Sequence, residues 1–310
     1  MKRTTLLPVA ALVMSSFAQA GFIELGFEME DHNSAHSSSD MFMPYLAAGI
    51  QPFADTPLHV QFKFSDKQAS EQSGAEGNTY SNDRGRQEYI VFYHYQVNDQ
   101  FTFSPRLNIR HNEYSHNDTR DTEWRIYPNM TYKLNDTFSL ALDGFIAPVT
   151  AKDEYRGVEK EPRSGADRHS YNDYKHELDF RLNMTFNESQ SARISFYNEQ
   201  SKAKGVEHTN AQETMDEWQL RMIYTHNFDR LSISPFARIN LHREFENGMG
   251  ETKKEARNRF GVFGAYQMNN DFDLVYEVYH QNEERKGWDN VQNATDRDRM
   301  FYKLAVKYSF

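Results

Sequence analysis

The feature that most constrains this chain is a period-two alternation of apolar and polar side chains, recurring from Gly21 to Phe310. Ile23, Leu25, Phe27 and Met29 alternate with Glu24, Gly26, Glu28 and Glu30, and Leu58, Val60, Phe62 and Phe64 with His59, Gln61, Lys63 and Ser65. Successive side chains of a strand point to opposite faces, so each segment has one greasy and one charged face. The pattern predicts fourteen strands, at 21–31, 41–51, 57–66, 86–97, 101–113, 122–134, 137–150, 172–186, 190–201, 213–227, 231–243, 256–268, 272–283 and 298–310. The second of these, MFMPYLAAGIQ, alternates worst.

The connections alternate as well. Those at 51–56, 98–100, 135–136, 187–189, 227–230 and 269–271 are short, and Asn98, Asn135, Asn187, Asn227 and Asn269 open five of them. Asn tolerates left-handed backbone and bonds to its own main chain, which suits tight hairpins. The intervening connections include long polar stretches at 67–85, 151–171, 201–212 and 282–297. Short turns on one side and long loops on the other are the sidedness of an outer-membrane barrel. Most segments exceed the roughly 9–11 residues that a tilted strand needs to cross a bilayer. The expected fold is all-β: a transmembrane antiparallel β-barrel with short periplasmic turns, long extracellular loops and both termini in the periplasm.

A soluble sandwich could also alternate, and here composition decides. Only 38% of residues are hydrophobic, yet 14% are aromatic, including 18 Tyr and 23 Phe. A disordered polar chain would be poor in aromatics, whereas a water-filled barrel pairs a thin apolar exterior with a polar interior. Phe101, Tyr132, Phe138, Phe186, Phe228, Phe272 and Phe310 lie near turns or the terminus, and Trp124, Tyr174 and Trp218 near loop ends, as two interfacial girdles require. Outer-membrane lipid and lipopolysaccharide are therefore the expected surroundings. Cysteine is absent, and the net charge of −10 argues against a nucleic-acid partner.

The first twenty residues read as a cleaved secretory signal peptide, with Lys2 and Arg3, an apolar stretch from Leu6 to Val13, and Ala18-Gln19-Ala20 before the cut. The remainder, 21–310, reads as one barrel domain. In the last segment Tyr302, Leu304, Val306, Tyr308 and Phe310 alternate with Lys303, Ala305, Lys307 and Ser309. A terminal Phe310 behind Tyr308 resembles the recognition signal of the outer-membrane assembly machinery, an expected partner. Closure of this strand on the first would remove an aggregation-prone edge.

With the apolar parity toward lipid, the other parity lines a lumen. It carries Glu24, Glu28, Lys63, Arg106, Arg110, Arg125, Lys133, Asp143, Glu177, Asp179, Arg181, Arg193, Glu199, Glu217, Arg221, Arg238, Arg259, Glu277, Arg299, Lys303 and Lys307. That many charges require water or ion pairing. Eight strands enclose side chains and sixteen an aqueous channel, so fourteen predict a channel narrowed by long arginines. The arginines group on neighbouring strands, where they either meet polar solutes or pair with lumen acids and stiffen the wall. Both readings stand at this stage. The expected function is a passive pore, not an enzyme, that needs no cofactor or metal and passes sugars and ions.

Several stretches carry a family resemblance: 124–138 (WRIYPNMTYKLNDTF), Met184-Thr-Phe-Asn-Glu-Ser, Ile233-Ser-Pro-Phe-Ala-Arg-Ile, Arg259-Phe-Gly-Val-Phe-Gly-Ala-Tyr and Val306-Lys-Tyr-Ser-Phe310. The chain resembles the outer-membrane porin G family over most of its length. That resemblance implies a monomeric fourteen-stranded pore for mono- to trisaccharides. It puts Glu255 and Arg285 where the family's best-known member has an acid-sensitive histidine pair. An ion pair between these two, holding the sixth loop region open with weak pH gating, is the resulting expectation. Two rivals remain: a channel for acidic oligosaccharides, resembling the oligogalacturonate porins, and a barrel hydrolase. The hydrolase would draw on His111, His116, His169 and His176 with Asp118, Asp167 and Ser170.

Overall fold

The computed structural model describes residues 20–33, 39–53, 55–69, 72–73, 79–80, 83–114, 119–153, 170–206, 208, 211–290 and 294–310. These form fourteen barrel strands. They are β1 (Ala20–His32), β2 (Met41–Gln51), β3 (Leu58–Ala69), β4 (Arg84–Tyr93, resuming at Tyr95–Gln96), β5 (Phe101–Phe103 and Arg106–Tyr114), β6 (Thr119–Tyr127 and Met130–Lys133) and β7 (Phe138–Asp153). They continue as β8 (Ser170–Thr185), β9 (Gln190–Lys202), β10 (Gln212–Asn227), β11 (Leu231–Asn247), β12 (Thr252–Lys254 and Ala256–Gln267), β13 (Phe272–Glu284) and β14 (Arg297–Ser309). The expected leader lies, except for Ala20, outside the described residues. No described helix is long and apolar enough to cross a membrane.

Each strand pairs antiparallel with its neighbours in sequence, and β14 returns to β1 in a register running from Phe22 opposite Ser309 to His32 opposite Arg299. Gly21 and Phe310 exchange both backbone bonds, at 2.8 and 3.0 Å, so the terminal residue completes the seam. Closure leaves the barrel sheet without a free edge that could template aggregation. The poorly alternating β2 pairs along its length with β1 and, except at Met43 and Pro44, with β3. Pro44 stands opposite Phe27 of β1, where it interrupts the β3 ladder, while Ala47 and Ala48 are paired on both sides.

Four of the six periplasmic turns share one device. The side-chain oxygen of Asn98 accepts from the N–H groups of Gln100 and Phe101, that of Asn135 from Thr137 and Phe138, and that of Asn269 from Asp271 and Phe272, all within 2.8–3.0 Å. Asn187 accepts from Ser189 in the same way. The amide stands in for backbone acceptors that a two- or three-residue turn cannot supply. Asn135→Ala is expected to destabilise the barrel by about 1 kcal/mol. Urea unfolding of the protein folded into vesicles would measure this.

Strands β4, β5 and β6 are interrupted side by side, at His94, at Ser104–Pro105 and at Pro128–Asn129, where the sequence pattern predicts continuous strands. Proline has no N–H to donate, so two prolines on adjacent strands open the ladder locally. Pro105 instead accepts from Tyr93 N–H, and Asn129 from Ser104 N–H. The second departure is the β11–β12 hairpin. It continues to Asn247 and resumes at Thr252, so it is a tall ribbon where a long loop was expected. Asn247 closes its tip by accepting from the N–H groups of Met249 and Glu251.

Burial is inverted relative to a soluble protein. Leu25 (59% exposed), Ile126, Leu140, Phe180, Phe196, Phe260 and Leu304 lie on the outside, while Glu88, Arg125, Asp179, Glu217, Arg243 and Gln281 are buried. Such an exterior is stable only where the surrounding medium is hydrocarbon. Beyond Trp218 the outward side chains turn polar, with His242 within 3.9 Å of Asp216 and His280 within 3.6 Å of Asp298. The strands therefore rise past the apolar band on the loop side.

Candidate functional site

The inner wall is the candidate site. Side chains on the concave face of a barrel converge, so contacts there skip strands, and this identifies which residues point inward. Lys63 on β3 reaches Glu28 on β1 at 3.5 Å, Arg257 on β12 reaches Glu199 on β9 at 3.5 Å, and Arg243 on β11 reaches Glu283 on β13 at 2.8 Å.

On the β1–β3 side, Glu24 accepts from the Tyr45 hydroxyl at 2.6 Å and lies 3.5 Å from Lys303. On β4–β6, Arg110 pairs with Glu88 at 3.0 Å and Arg125 with Glu123 at 2.5 Å. On β7–β8, Arg181 bridges Asp143 at 2.5 Å and Asp179 at 2.8 Å. Arg193, Arg221, Arg238 and Glu277 line one cavity of about 250 Å³ with Asp179 and Arg181. Arg259 stands next to Arg238 in register and donates to Gln281 at 2.5 Å.

Toward the loop side lies a second assembly. Arg243 sits among three carboxylates, Glu217 at 3.2 Å, Glu255 at 3.0 Å and Glu283 at 2.8 Å. Arg257 also pairs with Glu217, and Lys253 with Glu255 at 2.7 Å. Glu217 is fully buried (0% exposed), so its charge is tolerated only because two guanidiniums compensate it. This arrangement corrects the expected Glu255–Arg285 ion pair. The Glu255 carboxylate is held by Arg243 and Lys253, while Arg285 donates its backbone N–H to Asp296 at 3.1 Å. The extended hairpin brings Lys253 and Arg243 to Glu255 before Arg285 can reach it.

Aromatic side chains on the inner wall are the element that sequence reasoning missed. Tyr45, Tyr127, Phe145, Tyr197, Phe236 and Tyr279 are buried on the lumen parity, each beneath a cation. The distances to ring centroids are 4.3 Å for Lys63 over Tyr45, 3.8 Å for Arg106 over Tyr127, 3.9 Å for Arg125 over Phe145 and 3.2 Å for Arg221 over Tyr197. Arg238 lies 5.3 Å from Phe236, and Arg259 4.9 Å from Tyr279. Stacking fixes long side chains that would otherwise sweep the lumen. The available signal was position: Tyr127 follows Arg125 by two residues, and Phe236 precedes Arg238 by two.

The remaining candidates lie elsewhere. Tyr308 packs against Phe272 at 4.8 Å and Phe310 at 5.8 Å on the outer face beside the seam. His111 bonds to Thr122, and His176 to Tyr174 and Asn198, on the outward parity. His116, Asp118, Asp167 and His169 lie outside the described residues.

No family model matches the chain. Outer membrane porin G of Escherichia coli (strain K12) is 24% identical over 235 residues, covering 73% of this chain and 71% of that protein. The chain is an outer-membrane β-barrel similar to porin G. Two solved barrels superimpose on its fold. The CymD monoaromatic hydrocarbon channel has a TM-score of 0.52 at 9% identity, covering 98% of this chain and 92% of that one. The Pseudomonas putida toluene transporter TodX has a TM-score of 0.51 at 10% identity, covering 94% and 90%. At such identities the two barrels share architecture, and the resemblance in sequence is to porin G.

Proposed function

We propose that this barrel is a passive, water-filled outer-membrane pore for small hydrophilic solutes, mono- to trisaccharides and ions among them. The observation that carries the reading is the inner wall itself. Charged and hydrogen-bonding side chains line it on successive strands, a surface that dry packing would make costly and water makes stable. Fourteen strands also enclose more room than the eight that side chains fill. In this reading the barrel acts as a monomer, residues 1–20 are removed on export, and Tyr308 with Phe310 is read by the assembly machinery. The similarity to porin G supports the same function.

Planar-bilayer recording tests it. The refolded protein is expected to give ohmic unit steps that open singly, without the grouped steps of a trimer. Liposome swelling should be fast with glucose, slower with sucrose and raffinose, and negligible with large dextrans. A correctly folded barrel that conducts no ions and passes no glucose would sink the proposal.

A further inference from the structure

Register places an unusual row on the inner wall. Arg181 faces Ser195, Ser195 faces Arg221, Arg221 faces Arg238, and Arg238 faces Arg259, across five consecutive strands. Like charges directly opposite one another on a sheet destabilise it. Ion pairing would relieve this, and it does so for Arg181 at the end of the row and for Arg110, Arg125 and Arg243 elsewhere on the wall. Arg193, Arg221, Arg238 and Arg259 have no carboxylate of the described residues at ion-pair distance. Their Nε groups are spent on neutral partners where bonds form: Arg193 on Asn183 at 2.9 Å, Arg221 on Gln219 at 2.9 Å and Arg259 on Gln281. An amide orients a guanidinium without neutralising it, leaving the terminal nitrogens as donors.

The cavity in front of this row adds shape to the charge. Arg193, Arg221 and Arg238 line it together with Ile223, Phe236 and Phe263, while Asp179, paired with Arg181, and Glu277 complete the lining, so cations outnumber carboxylates beside an apolar wall. Its volume of about 250 Å³ falls just below the usual range of small-molecule pockets and suits one sugar ring rather than a chain of them. Gly261 makes the apolar wall compact. It stands between Phe236 and Tyr279, and a Cβ there would lie 2.4 Å from Tyr279 Cβ, so only glycine on β12 lets the rings of β11 and β13 come within 6.1 Å of each other.

We propose that Arg193, Arg221 and Arg238 form a subsite for the oxyanion of a small carboxylated sugar, with the ring against Ile223, Phe236 and Phe263. The proposal rests on the pore reading and deepens it: one wall of the channel holds an acidic monosaccharide transiently as neutral sugars pass. Planar guanidiniums offer paired donors that match a carboxylate, and with four arginines against two carboxylates in the lining, an anion in the cavity offsets the excess positive charge.

The test uses sodium glucuronate, inorganic phosphate and glucose as probes on the refolded full-length barrel. Current block in planar bilayers and calorimetric titration in detergent are read in parallel. Glucuronate is expected to bind best, phosphate more weakly because it lacks the ring, and glucose least. Arg221→Gln/Arg238→Gln should weaken glucuronate about tenfold and leave glucose unchanged, while Arg230→Gln in a periplasmic turn should change neither. The same double variant should unfold at a higher temperature than the wild type, because it removes opposed like charges; a purely structural row would give a lower one. Equal binding of glucuronate and glucose overturns the subsite, and phosphate matching glucuronate overturns the placement of the ring. A wild-type barrel that is silent in bilayers yet titrates with glucuronate would overturn the pore and keep the subsite.

Discussion

Arg243→Met is expected to lower the stability of the barrel by about 3 kcal/mol, within the range seen when one member of a buried ion pair is removed. The reason is the number of acids that one guanidinium serves. Arg243 is the contact that Glu217, Glu255 and Glu283 share, and all four side chains are buried or nearly so. Glu217 would keep Arg257 and Glu255 would keep Lys253, but Glu283 would retain only a 3.5 Å bond from Gln281. Methionine fills much of the volume, so lost packing is a minor part of the effect. Urea unfolding of vesicle-embedded protein, followed by tryptophan fluorescence, gives the magnitude. Adding Glu283→Gln to the variant should recover part of the loss, since the stranded charge then disappears. A loss under 0.5 kcal/mol for Arg243→Met would mean that water, not arginine, compensates these carboxylates.

The tall β11–β12 hairpin that builds this cluster was not legible in the sequence, for a local reason. Between Trp218 and Gln219 the register with β11 shifts by one residue, and Leu241 is the extra residue of a bulge. A bulge inverts the parity of everything beyond it. Asn240 faces inward before the bulge and Arg243 after it, so a strict two-residue count sees the alternation end near 243. Above the bilayer both faces are also polar, which removes the contrast on which the count depends. The Glu255–Arg285 pairing failed for the same reason, since it presumed a loop where a ribbon stands. In contrast, most turns were legible because asparagine opens five of the six and its side chain accepts turn N–H groups at four of them. The seam was legible because Tyr302 through Phe310 alternate without interruption. The charged inner wall followed from parity alone. Which arginines were paired and which were not depended on cross-strand register, and one-dimensional spacing does not carry that. Arg181 and Arg193 look alike in sequence, yet Arg181 meets Asp143 and Asp179 while Arg193 meets Asn183.

Ile194→Arg should cost about 2–4 kcal/mol, the penalty for arginine near the middle of the bilayer on the lipid face of a barrel. Ile194 is 40% exposed and stands between Leu182 and Met222. Ala192 and Phe196 flank it on the outward parity, before the apolar band ends at Asn198. The penalty arises from stripping water off a guanidinium that has no acid within reach, because the outward neighbours are hydrocarbon. Arg193 is the adjacent residue and bears the same group at no such cost, since its side chain turns inward. An arginine introduced on the inner face makes the complementary measurement. Gln61 faces the lumen beside Gly49, and Gln61→Arg is expected to change stability by no more than about 0.5 kcal/mol. The two variants add the same charge and nearly the same volume, so the difference between them isolates the medium on each side of the wall. Comparable unfolding midpoints for Ile194→Arg and Gln61→Arg in lipid would contradict the division of this chain into a hydrocarbon-facing and a water-facing parity.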